Sequence, residues 1–261
     1  MLVERNQAVF DGVASAYTDL ALMGAERVML HRLRDRLPQL EMLDLGVGSG
    51  RTGYTFAPLV RRYVGVDYSP HMIERARDLL GDDDDTELLV GDARDLSPIP
   101  GSFDFALFSF NGIDAVGHED RLRILTEVRH KLNPGGLFLF SSHSLGALPL
   151  SARRRRGRNR SRLQPVQMFE FARDVRYGCY ARRSNRELDL DDARQRGWTI
   201  VRDPAHRFSL DVYYVDPPTQ LAQLAEAGLE PVAVIAESGE EVDPGASRRD
   251  AWLNYLCRLP G

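Results

Sequence analysis

Two rhythms of apolar residues organise the chain. From Met42 to Ser142 five short apolar runs alternate with stretches in which apolar residues recur at helical spacing, such as Pro70 to Leu80 and Glu119 to Leu132. Short runs bounded by turn residues read as buried strands, and the periodic stretches as amphipathic helices. That alternation predicts a parallel sheet wound on both faces. Residues 6 to 37 carry helical spacing ahead of it, stopped by Pro38. Beyond it, residues 218 to 228 read as a helix ended by Gly228, followed by strands at Pro231 to Ala236 and Trp252 to Leu259.

The first strand, Met42-Leu-Asp-Leu-Gly-Val-Gly-Ser-Gly50, runs into glycines at alternate positions. A Cβ at Gly46, Gly48 or Gly50 would hold a ligand off the main chain, so the pattern suits a nucleotide-like ligand lying on bare backbone. An ordinary glycine-rich turn would look similar in isolation. Gly48, Gly50 and Gly53 also meet the dinucleotide spacing, with Asp67 at the end of the second strand. A carboxylate there accepts from ribose hydroxyls, which NAD and other adenosine cofactors share. Two further features separate those cofactors. Asp44 stands two residues before the first glycine, where an acid can face a cofactor carrying an ammonium group. The third strand ends in Gly91-Asp92-Ala93, which suits adenine: the acid accepts from the exocyclic amine and the amide donates to a ring nitrogen.

At this point the chain resembles the class I S-adenosylmethionine-dependent methyltransferases. The matches are Asp44-Leu-Gly46-Val-Gly48-Ser-Gly50, Val64-Gly-Val-Asp67-Tyr-Ser-Pro-His-Met72, Gly91-Asp92-Ala93, Ser102-Phe-Asp104-Phe-Ala-Leu-Phe108 and Leu132-Asn-Pro-Gly135-Gly136, in the family's order. The resemblance implies an α/β, Rossmann-like doubly wound sheet, mostly parallel with a final antiparallel strand. It implies S-adenosylmethionine as cofactor, with Gly46, Gly48 and Gly50 beneath it, Asp44 facing it and Asp67 on the ribose. Asp92 and Ala93 would read the adenine, Tyr68 and Met72 would pack near adenine and ribose, and Phe108 and Ser109 would lie near the methionine portion. Tyr17 resembles a family tyrosine that covers the cofactor. Asp104, at the start of the fourth strand, falls on the far side.

The division this implies is residues 1–143 for the N-terminal helices and cofactor core, 144–216 for a lid or flap inserted after the fifth strand, and 217–261 for the closing helix and strand pair. Within the insertion, Trp198 to Val201 and Phe208 to Val215 read as an antiparallel flap over the cofactor. Twelve arginines against Glu170 and Asp174 between Ser151 and Arg186 give a local excess of ten positive charges (12 − 2) in a chain of net charge −4. Such a run is either a patch for an anionic acceptor or a solvated loop. Arg153 to Arg162 contains no aromatic residue for base stacking, which weighs against RNA.

Methyl transfer to a hydroxyl requires removal of a proton, and few bases are available. His143, just past the fifth strand, is the first candidate, although it could equally bond neighbouring backbone; His206 on the flap is second. Asn111, Asp114 and the flap's Tyr213 are the candidate substrate contacts. No C-x-x-C pair or metal set is present, with only Cys179 and Cys257, and no apolar stretch is long enough to cross a membrane. The charged start Met1-Leu-Val-Glu-Arg5 is not a signal peptide, which points to a cytoplasmic protein. Asp216-Pro217-Pro218 resembles a nucleic-acid amino-methyltransferase motif, but it lies where proline would start a helix. The expected function is methyl transfer to oxygen or nitrogen of a small molecule. RNA methylation and a non-catalytic cofactor-binding scaffold are the alternatives, and oligomeric state is left open.

Overall fold

A computed structural model describes residues 4–6, 20–81, 83–148, 183–203, 209–245 and 250–261. Its strands are β1 (Glu41–Leu45), β2 (Arg62–Asp67), β3 (Thr86–Val90), β4 (Phe103–Phe108), β5 (Leu132–Ser144), β6 (Trp198–Asp203), β7 (Leu210–Val215), β8 (Glu230–Ala236) and β9 (Trp252–Arg258). The helices that matter are α1 (Gly24–Leu33), α2 (Pro70–Leu80), α3 (His118–Lys131) and α4 (Pro217–Glu226). β3, β2, β1, β4 and β5 lie side by side and parallel, with β9 antiparallel to β5 and β8 antiparallel to β9. The chain steps outward from β1 to β3, then returns to β4 on the other side of β1. That reversal opens a crevice beyond the ends of β1 and β4, where ligands bind in open α/β sheets.

Local chemistry explains the elements. β1 and β2 are apolar on successive positions and buried along almost their whole length, as central parallel strands must be. Ser69 caps α2, its hydroxyl accepting from the Met72 amide at 3.3 Å; Pro70 opens the helix, and Met72, Ile73 and Ala76 form its buried stripe. α3 has Glu119 and Asp120 in its first turn and Arg129, His130 and Lys131 in its last, matching the helix dipole at both ends. Asp216 caps α4 by accepting from the Thr219 amide at 2.8 Å, so Asp216-Pro217-Pro218 is a helix start.

One apolar cluster packs α3 and α4 on one sheet face, through Leu125, Val128 and Leu224. Another packs α1 and α2 on the opposite face, through Met29, Ile73 and Leu139. The expected separate flap is instead a continuation of the sheet. β6 and β7 form the antiparallel pair, but Tyr214 and Val215 of β7 pair in parallel with His143 and Ser144 of β5. His143 also pairs with Trp252 of β9, so β7 occupies the edge of β5 that β4 leaves when it ends at Phe108. The physical reason is the length of β5, which runs past its neighbour and leaves unpaired backbone groups that β7 satisfies.

Candidate active site

Beyond β1 the chain turns on Gly46 (φ 60°) and Gly48 (φ 57°), a backbone conformation that a side chain would strain. A Cβ on Gly46 would lie 2.7 Å from the Phe108 ring, whereas one on Gly48 would meet nothing closer than the Gly46 carbonyl oxygen at 3.9 Å and would project into open space. Only Gly48 thus leaves bare backbone facing open space, whereas Gly46 is required by its packing against Phe108. Gly50 (φ 93°) serves the turn differently, by packing against Ala76 and Leu79 of α2.

The cavity above this turn holds about 360 Å³, within the range of small-ligand sites. Its wall brings together Gly46, Gly48, Asp67, Tyr68, Met72, Asp92, Ala93, Phe108 and Ser109 of the expected cofactor set. Asp67 is locked: one carboxylate oxygen accepts from the Gly48 amide at 3.0 Å, the other from the Ser69 amide at 2.9 Å. Asp92 is gripped by Arg94 at 2.6 Å. Partial burial works against its charge, but the Arg94 side chain and amide outweigh that and hold it below the usual carboxylate range.

Asp44 does not reach the wall. It turns inward and accepts from the Thr52 hydroxyl at 2.5 Å and the Tyr63 hydroxyl at 2.6 Å, 1% exposed. Burial, opposed by those two hydrogen bonds, pushes its pKa up to about 6. Tyr17 and His206 lie outside the described residues. Tyr213 is fully buried, its hydroxyl within 2.7 Å of His118 Nδ1, and so does not line the cavity.

Asp114 is also buried, at 1% exposure, because it is saturated with donors. Oδ1 accepts from Arg121 at 2.5 Å and Ser142 at 2.7 Å; Oδ2 accepts from the His143 amide at 2.7 Å and lies 2.7 Å from His143 Nδ1. The guanidinium, the hydroxyl and the amide all donate to Asp114, so in the neutral imidazole Nδ1 of His143 donates to it as well and Nε2 is the acceptor. Asn111 is 9% exposed, and its Oδ1 has no hydrogen-bond partner among the described residues, which leaves a buried acceptor to be satisfied.

Sequence reasoning missed Arg51 and Glu26. Arg51 lines the cavity and binds Glu26 of α1 through two bonds of 2.6 Å, and Ser109 bonds to both side chains. The only signal was a charge placed directly after the glycine turn. Arg121, wholly buried on α3, looks in sequence like any other charge of a polar helix.

Residues 42–136 match the model of a methyltransferase domain. Over that span the chain carries a methyltransferase domain and is similar to the class I S-adenosylmethionine-dependent methyltransferases. The chain is 33% identical over 152 residues to a demethylmenaquinone methyltransferase of Clavibacter sepedonicus, across 56% of this chain and 61% of that one, so it spans under two thirds of that relative. Among solved structures, an S-adenosylmethionine-dependent methyltransferase from Mesorhizobium loti matches at TM-score 0.62, with 21% identity over 90% of this chain and 97% of that one. The glycopeptide N-methyltransferase MtfA, solved with S-adenosylhomocysteine, matches at 0.57, with 18% identity over 96% and 97%. S-adenosylmethionine is the cofactor of this methyltransferase domain, and the cavity fits it: an open cradle at Gly48, a locked acid at Asp67 and an apolar rim at Met72 and Phe108.

Proposed function

We propose that the chain transfers the methyl group of S-adenosylmethionine to an oxygen or nitrogen of a small molecule, with His143 as the base. The observation that carries this reading is the Gly46–Gly48 cradle beside Asp67, with His143 on the strand end that follows β4 in the sheet. When bound, the cofactor supplies an electrophilic methyl group: a lone pair of the acceptor bonds to the carbon while the carbon–sulfur pair leaves on sulfur. Asp67 would hold the ribose hydroxyls, and Ala93 with Asp92 the adenine. Arg51, a cation at the wall, suits a carboxylate on the methionine portion. The acceptor's proton would pass to Nε2 of His143, and Asp114, bonded to Nδ1, fixes the tautomer and orientation of the ring. Arg121 neutralises Asp114, so the acid orients the ring rather than taking the proton.

Calorimetry tests the cofactor step. S-adenosylhomocysteine should bind and NAD should not; Asp67→Ala should cost about 1.5–3 kcal/mol of that affinity, the range for hydrogen bonds to a charged group. Micromolar binding of NAD with no heat from S-adenosylhomocysteine would overturn the reading.

A further inference from the structure

We propose that the acceptor is a flat aromatic molecule carrying a hydroxyl group, seated on a platform of Phe110, Trp252 and His143; this rests on the methyl-transfer reading above. The platform is a product of strand register. His143 of β5 pairs with Trp252 of β9 on one side and with Tyr214 of β7 on the other. Directly paired residues project from the same sheet face, so three rings from three strands form a row. The His143 ring lies 5.0 Å from that of Tyr214 and 6.3 Å, edge-on, from that of Trp252.

Phe110 extends the row to the cofactor cavity, whose wall it lines, with its ring 6.2 Å from that of Trp252. It is 52% exposed, an unfavourable position for a bare phenylalanine. Its backbone is strained as well: Phe110 (φ 52°) and Asn111 (φ 59°) are consecutive left-handed residues, and they are the only ones other than glycine among the described residues. Strain of this kind persists where the surrounding structure enforces it, and it gathers at ligand sites. Here its effect is to hold an aromatic ring out at the mouth of the cavity. Arg51, which also lines the cavity, has its guanidinium 5.9 Å from the centre of the Phe110 ring.

A wall of ring faces and edges favours an aromatic guest over an aliphatic one of equal size, because only the former gains offset-stacked and edge contacts. The base narrows the class further. Imidazole can act as general base toward either kind of hydroxyl, but a phenol, with a pKa of about 10, gives up its proton far more readily than an aliphatic alcohol. A phenolic ring against Phe110 and Trp252 would lie beside the His143 ring, whose centre is 6.3 Å from that of Trp252, and Nε2 would receive the proton as the oxygen takes the methyl group.

Calorimetry with β-naphthol and its fully saturated analogue, decahydro-β-naphthol, reads the platform directly, with and without S-adenosylhomocysteine. β-Naphthol should bind about tenfold more tightly than the saturated alcohol, the order expected of ring–ring contacts. Trp252→Leu should bring the two within about twofold while leaving S-adenosylhomocysteine within about threefold, since Trp252 does not line the cofactor cavity. If that variant loses the cofactor too and so has misfolded, Phe110→Ala supplies the same comparison. Equal affinity of the two alcohols for the parent, or an aromatic preference that survives in both variants, overturns the platform. Absence of cofactor binding by the parent would instead overturn the methyl-transfer reading, and the naphthol comparison without cofactor still decides the platform.

Discussion

A histidine has two ring nitrogens, and the one that carries the proton decides what the other can do. At His143 the choice is made by hydrogen-bond accounting, because the other partners of Asp114 all donate to it and Nδ1 lies 2.7 Å from one of its oxygens. Nε2 is left as the acceptor. Asp114 in turn cannot drift, since Arg121, Ser142 and the His143 amide hold both its oxygens. His143→Ala should therefore lower turnover by roughly 10²–10⁴-fold with S-adenosylhomocysteine affinity nearly unchanged. His143→Gln should be almost as inactive, because glutamine bonds but takes no proton. A glutamine variant with most of its activity would make His143 a positioning residue and favour an amine acceptor. Parallel loss of cofactor binding in the alanine variant would make it structural.

At the scale of elements, the β1 strand and its turn show what sequence conveys and what it withholds. The apolar run and the glycines are local features, and both are legible in the chain as written. The direction of Asp44 is not local. It depends on Tyr63 of β2 and Thr52 beyond the turn, which pull the acid under the turn and away from the cavity. The β6–β7 pair was legible as two strands, but its place in the sheet required knowing that β5 outruns β4. The Trp252–His143–Tyr214 row was likewise hidden, because register between distant strands leaves no trace in spacing. Asp44 yields a pH prediction. Its pKa is raised in the fold to about 6 from an ordinary 3.8, so the folded state binds the proton more tightly than the unfolded chain. Its contribution to stability is complete below about pH 4 and is lost as pH rises through 6, a total of about 3 kcal/mol at roughly 1.4 kcal/mol per unit. Urea unfolding of the parent and Asp44→Asn at pH 4 and pH 7 measures the difference. The parent should lose about that much more than the variant over the interval, and equal losses would show that the acid is solvated.

Across the whole molecule, charge is distributed unevenly. The chain carries a net −4, yet Ser151 to Arg186 holds an excess of ten positive charges, and Arg153 to Arg162 lies outside the described residues. Among the described residues, the cavity wall is drawn from residues between Ala21 and Ile124. Cofactor affinity should be set by this wall, because exposed charges act weakly beyond a Debye length of about 8 Å at physiological salt. Replacing Arg153 to Arg156 with serines should leave S-adenosylhomocysteine binding within about threefold. The same variant separates the two acceptor classes. A small aromatic acceptor predicts that RNA binding by the parent is weak, nonspecific and already gone at moderate salt. Tight RNA binding with a steep salt dependence, abolished by the four serines, would mean that the arginines release counterions from a phosphate backbone. That result would move the acceptor from a small molecule to RNA while leaving the cofactor site as it stands.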